Sequence, residues 1–100
     1  MKAEITQTDN KVMVVLMGRL DTVTSSEFEK NLVPYYAMQG IELTLDCSGM
    51  EYISSAGLRV VLTTHKSITA KGGRFILRNL SKEVRSVFDM TGFSRILTIE

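Results

Sequence analysis

Ser54 and Ser55 are adjacent hydroxyls lying between an alternating apolar segment and an amphipathic one, and no other side chains of this 100-residue chain are better placed for chemistry. A serine at such a junction can cap a helix, attack a substrate, or accept a group from another enzyme. Attack requires a base in reach and an oxyanion site, and the chain has no Gly-x-Ser-x-Gly elbow. Its one histidine, His65, falls ten residues further along the same predicted helix, on the order of 15 Å away at the standard rise. His65 therefore reads as a polar-tipped residue at the core edge rather than a base, ligand or phosphocarrier. Asp21 and Asp46 end predicted strands at what would be one edge of a parallel sheet, where ligands bind in α/β folds. The competing role for each is turn chemistry through bonds to nearby N–H groups. Two carboxylates alone make neither a hydrolase nor a metal site. Cys47, the single cysteine, excludes an internal disulfide and forms no metal cluster with His65. No catalytic residue, metal site or cofactor is assigned.

The elements that hold these residues follow from periodicity. Ile41, Leu43 and Leu45 alternate with Glu42, Thr44 and Asp46, which predicts a strand over 41–46. Leu58, Val61, Leu62, His65 and Ile68 or Thr69 then recur at helical spacing up to Lys71-Gly72-Gly73, predicting a helix over 55–71. The stretch from Asp46 to Arg59 reads as the strand-to-helix connection, with Ser54 and Ser55 at the helix N-terminus. Unpaired N–H groups and the positive end of the dipole favour an acceptor or an anion there. Gly57, in the first turn, weakens the helix and offers a bare surface suited to close approach by another molecule. Met50, beside Tyr52 and Ile53 in the connection, is either an adaptable contact or packing beneath the loop, and Phe93 after Gly92 has the same two readings. Met13, Met17 and Met38 read as core filling.

Around this centre, residues 2–8 alternate weakly and residues 12–17 form a continuous apolar run suited to a strand buried on both faces. Asp9-Asn10 is a two-residue hairpin turn, and Gly18 ends the second strand. Thr24-Ser25-Ser26-Glu27 matches a capping box, so a helix is predicted from about Thr24, burying Phe28, Leu32 and Tyr35 or Tyr36, with Pro34 kinking or ending its first segment. A strand at 74–78, a short helix capped by Ser81 with Val84, Val87 and Phe88 inward, and a final strand through Ile96, Leu97 and Ile99 complete the pattern. Right-handed crossovers make the strands after the hairpin parallel. The polar alternates Glu42, Thr44, Arg74 and Arg78 leave one sheet face only partly covered. The expected fold is α/β, a mixed sheet of about five strands with helices mainly on one face, and residues 1–100 form one domain.

The totals narrow the function. Forty-four per cent apolar content suits one compact core. A net charge of +1 points to neither nucleic acid nor an anionic membrane, although residues 1–58 carry four basic and eight acidic side chains and residues 59–100 eight and three. Pairing within the fold or solvation accounts for that asymmetry better than a nucleic-acid patch does. Lys2, Glu4 and Asp9 interrupt any signal-peptide run, and no window is long enough to span a membrane, so a cytoplasmic protein without membrane insertion is expected.

Ser54-Ser55-Ala56-Gly57-Leu58 resembles the phosphorylation loop of the STAS family, the domain shared by sulfate transporters and bacterial anti-sigma factor antagonists, which reads about Asp-Ser-Ser/Thr-Gly-Leu after a strand. Gly18-Arg19-Leu20-Asp21 resembles the family's Gly-x-Leu-Asp turn, and Phe88-Asp89-Met90-Thr91-Gly92 its late Phe-Asp-Met-Ser/Thr-Gly segment. The likeness covers almost the whole chain; Ser54 stands where antagonists often carry Asp. It implies the STAS fold, a curved sheet backed by helices, and a non-enzymatic role in partner switching. Ser55 would be the phospho-acceptor, with Ser54, Ala56, Gly57 and Leu58, and also Asp21 and Met50, around it as partner-binding residues. The implied partners are a GHKL-type serine-kinase anti-sigma factor holding ATP or ADP and a metal-dependent serine phosphatase. The unphosphorylated form would bind the kinase and release the sigma factor. The alternative is a STAS-type accessory subunit of a transporter or a nucleotide-binding regulatory module.

Overall fold

The computed structural model describes residues 1–100. Strands β1 (Lys2–Thr8) and β2 (Lys11–Leu20) form the opening hairpin, followed by α1 (Thr22–Tyr36), β3 (Glu42–Ile53), α2 (Ser55–Ala70) and β4 (Arg74–Arg78). Helix α3 (Lys82–Thr91), a 3-10 turn at Phe93–Arg95 and β5 (Thr98–Ile99) close the chain. The five strands lie side by side in sequence order, β1 antiparallel to β2 and every later pair parallel. This is the mixed α/β architecture expected from the alternation of elements. Asp9 takes a φ of 56° in the hairpin turn, a conformation that aspartate tolerates better than most residues.

One sheet face carries the helices. Val12, Val14 and Leu16 of β2, Leu43, Leu45 and Cys47 of β3, and Phe75 and Leu77 of β4 are buried with Phe28 and Leu32 of α1, Leu58, Val61 and Ile68 of α2, and Val84 and Phe88 of α3. Full burial of one such side chain contributes about 1.5–3 kcal/mol. Thr64 adds a polar tie, its Oγ1 lying 2.9 Å from the Tyr36 hydroxyl on α1 and donating to Val60 O at 2.8 Å. The other face is polar at its rim, where Arg74 pairs with Glu42 and Glu100 at 3.7 Å each and Arg78 with Glu100 at 3.0 Å.

The 12–17 run is therefore not buried on both faces: Met13, Val15 and Met17 are only half-buried, because no helix covers their side. Met38 is exposed rather than core. Strand β2 continues through Gly18 to Leu20. Helix α1 begins one turn earlier than the Thr24 box suggests. Asp21 is its cap, accepting from Val23 N at 3.0 Å and Thr24 N at 2.9 Å, while Thr24 Oγ1 accepts from Asp21 N at 2.9 Å. Thr24 is thus the reciprocal member of the box. Pro34 sits inside α1, which ends two residues later at Tyr36. The inward face of α2 includes Val60 and Thr64, whereas Leu62 and His65 are half-buried and Thr69 is exposed. Strand β5 is shorter than predicted, since the 3-10 turn leaves Ile96 exposed and only Leu97 buried.

Candidate functional site

The largest departure from expectation lies beside the two serines. Strand β3 does not stop at Asp46 but runs on to Ile53 against β2. Its register slips twice: Val15 pairs with Asp46 and Met17 with Gly49, then Gly18 pairs with Met50 and Arg19 with Tyr52. Each slip inserts one extra residue into β3, a bulge that bends the strand. The first coincides with Asp46 Oδ1 accepting from Ser48 N at 2.9 Å, a turn-like bond within the strand. Core-facing positions consequently fall at Leu43, Leu45, Cys47, Met50 and Ile53, with steps of two that become steps of three at the bulges.

That spacing decides three assignments. Met50 is not a contact residue on a loop: it is only 3% exposed and belongs to the core. Tyr52 turns outward, 41% exposed, and the Arg19 guanidinium carbon stacks over its ring 4.3 Å from the centroid. Such a stack is worth about 0.5–1 kcal/mol at an exposed site. Asp46 is level with Val15, whereas Asp21 follows Leu20 six residues further along β2, on the order of 20 Å away at the rise of a strand. The two carboxylates do not share a sheet edge. The Ser48 N–H holds the Asp46 carboxyl below the usual carboxylate range, helped by Asn79 and Arg78. The Thr24 N–H and hydroxyl do the same for Asp21, with the Val23 N–H and Arg19 contributing. Burial pushes the Cys47 thiol up to about 12, with the neighbouring Asp46 charge acting in the same direction, so it stays protonated.

Ser54 ends β3 and starts α2. Its N–H donates to Leu20 O at 2.8 Å, tying the helix start to the end of β2. Its Oγ accepts from Gly57 N at 3.3 Å and its carbonyl from Leu58 N at 2.9 Å. Ser54 is therefore the cap, and Ser55 the first helical residue, exposed and with no protein group bonded to its hydroxyl. The N–H groups of Ser55 and Ala56 are among the four that a helix leaves without an intrahelical partner.

Ala56 is half-buried, and the next two residues turn inward. Leu58 joins the core. Gly57 is buried, and a Cβ there would lie 2.7 Å from Ile53 Cγ1, 3.0 Å from Leu20 Cβ and 3.2 Å from Leu20 O. Gly57 is bare because the end of β2 packs against it, not because its surface is open to another molecule. Of the five-residue contact surface expected from the motif, Ser54, Ser55 and Ala56 remain accessible.

Two depressions flank this helix start. A mostly apolar groove of about 380 Å³ is lined by Ser55, Leu58, Arg59, Leu62, Thr91 and Phe93. A cleft of about 210 Å³ opens between the beginnings of α1 and α2, where Thr22, Ser26 and Glu29 face Ala56 and Arg59. A third depression, on the open sheet face, includes Lys11 and Glu42, at the opposite ends of β2 and β3 from Ser55. Phe93, left open between core and contact, lines the groove. The Arg19–Tyr52 stack and the groove are the features sequence reasoning missed; the bulged register and the placement of α3 create them, and no spacing along the chain signals either.

His65, the one histidine, lies further along α2 from Ser55, and no group of three His, Cys, Asp or Glu side chains is assembled that could hold a metal. No helix is long and apolar enough to cross a membrane. What the geometry offers is an exposed hydroxyl at a helix start beside an apolar groove. The chain is similar to the anti-sigma-B factor antagonist of Bacillus subtilis strain 168, 32% identical over 96 residues that cover 96% of this chain and 87% of that protein. It superposes on the anti-sigma factor antagonist SpoIIAA in its unphosphorylated form with a TM-score of 0.83, at 22% identity, covering 99% of this chain and 88% of that one. With the Bacillus SpoIIAA in its phosphorylated form the TM-score is 0.76, at 21% identity, covering 99% and 91%. These relatives are named as antagonists, which are binding regulators rather than enzymes. The STAS domain description matches residues 2–100, and the chain belongs to that family.

Proposed function

We propose that this chain, acting as one domain, is an anti-sigma factor antagonist of a partner-switching pathway. Its unphosphorylated form binds a serine-kinase anti-sigma factor and so releases the sigma factor, and phosphorylation of Ser55 ends that binding. The observation that carries this reading is the division of labour between the two serines. Ser54 is engaged in capping, while Ser55 is exposed and unbonded at the rim of an apolar groove. In the reaction, the γ-phosphoryl of the kinase-bound ATP passes to Ser55 Oγ, ADP is left on the kinase, and the hydroxyl proton goes to a base there. Accessible Ser54, Ser55 and Ala56, with the groove residues Leu62 and Phe93, form the contact surface, and a metal-dependent serine phosphatase resets it.

Phosphoserine adds about −1.5 to −2 charges at neutral pH. At the start of α2 these meet free N–H groups and the positive end of the dipole, so the fold tolerates them, with a net change of about 1 kcal/mol or less. For a partner the same charge lies within the contact, where burial without a matching cation costs several kcal/mol. Labelling with the kinase of the host tests the acceptor: Ser55→Ala abolishes phosphate incorporation. Labelling that persists in Ser55→Ala and vanishes in Ser54→Ala overturns the assignment.

A further inference from the structure

Arg59 is the one cation that borders both depressions beside Ser55, sharing the apolar groove with Ser55 and the polar cleft with Glu29. It is exposed and forms no ion pair, unlike Arg74, Arg78 and Arg85, each of which meets a carboxylate. It lies four positions after Ser55 on one helix, the spacing at which side chains become neighbours, with Cβ atoms about 5–6 Å apart. Side chains of a helix lean toward its N-terminus, so that of Arg59 projects over the turn that begins at Ser55. An anion at the first position with a cation four residues later is also the favourable order of such a pair, and the anion there meets the positive end of the dipole.

We infer that Arg59 is the clamp of the phosphorylated state, its guanidinium gripping the phosphate on Ser55 from one side while the free N–H groups of the first turn meet it from the other. A planar guanidinium matches two phosphate oxygens at once, which a lysine at this position does not. Gripping the phosphate draws Arg59 across the Ser55 end of the groove. The unmodified form thus presents a free hydroxyl and an unpaired cation beside Leu58, Leu62 and Phe93, and the modified form a paired, covered groove mouth. Phosphorylation then withdraws a cation from the contact surface as well as adding negative charge to it. This inference rests on Ser55 being the acceptor, and the test below separates the two.

Phosphoserine is installed at position 55 of the full chain by genetic code expansion, and its phosphorus-31 shift is titrated between pH 4 and 9. Because no kinase is involved, failed labelling by a kinase speaks only to the acceptor assignment and a failed titration only to the clamp. A cation gripping the dianion lowers its second pKa. Arg59→Gln should raise that pKa by about half a pH unit, a threefold change in the acid constant, and Arg59→Lys should restore part of it. Lys66→Gln removes an exposed cation of the same helix eleven residues from Ser55, and should leave the titration unchanged. A titration unaffected by Arg59→Gln, or one moved as far by Lys66→Gln, overturns the clamp. Glutamine is a competent helix residue, and Arg59 is exposed, so the variant folds.

Discussion

Replacing Gly57 by alanine adds one methyl group at the point where α2 leaves β3, and the structure sets what that methyl meets. Two of its neighbours, Ile53 Cγ1 at 2.7 Å and Leu20 Cβ at 3.0 Å, belong to side chains that are themselves buried. The third, Leu20 O at 3.2 Å, is backbone, and it accepts the Ser54 N–H at 2.8 Å. Relief of the clash therefore pulls on the bond that joins the sheet to the helix start. Overpacking of this kind costs about 1–3 kcal/mol. Alanine is the better helix former by about 1 kcal/mol, which offsets part of that cost. A net loss of up to about 2 kcal/mol follows, and for a domain of this size each kcal/mol moves the thermal midpoint by about 4–8 °C. Thermal and urea unfolding of Gly57→Ala beside the native chain measure it, and Gly57→Arg, which carries the same Cβ, should be at least as destabilised. A Gly57→Ala midpoint above that of the native chain, the helix gain unopposed, would refute the packing argument and return Gly57 to a role at an open surface.

Ser54→Ala should lower stability by about 0.5–1 kcal/mol through loss of the cap, whereas Ser55→Ala stays within about 0.5 kcal/mol of the native chain; a larger loss for Ser55→Ala in urea titrations reverses their roles. Asp21 has a folded pKa below its ordinary value of 3.8, so the stability it contributes is present above pH 3.8 and is lost as the pH falls through the depressed folded value. Asp21→Asn should accordingly be less stable than the native chain at pH 7, with the gap between their midpoints narrowing at pH 3; an equal gap at both pH values contradicts the assignment.

The order and type of the elements were legible along the chain because they rest on local chemistry. Alternation at Ile41, Leu43 and Leu45 marks one buried face, Asp9-Asn10 tolerates a hairpin turn, and Ser81 caps a helix, all without reference to distant residues. The same holds for the Ser54-Ser55 junction, since a hydroxyl pair before a helical repeat is a helix start wherever it occurs. Tertiary structure decided what distant partners decide. Asp46-Cys47-Ser48-Gly49 carries turn residues and reads as a loop, yet β2 supplies pairing partners beyond it, and the chain keeps them by bulging instead of leaving the sheet. Those bulges turn Met50 inward and Tyr52 out under Arg19, a choice invisible to any period-two pattern. Gly57 looks alike in sequence whether it is bare for a partner or for its own fold; only the approach of Leu20, 37 residues earlier, distinguishes them. The groove beside Ser55 depends likewise on α3 ending next to α2, because a concave surface belongs to two elements and to the packing that holds them together.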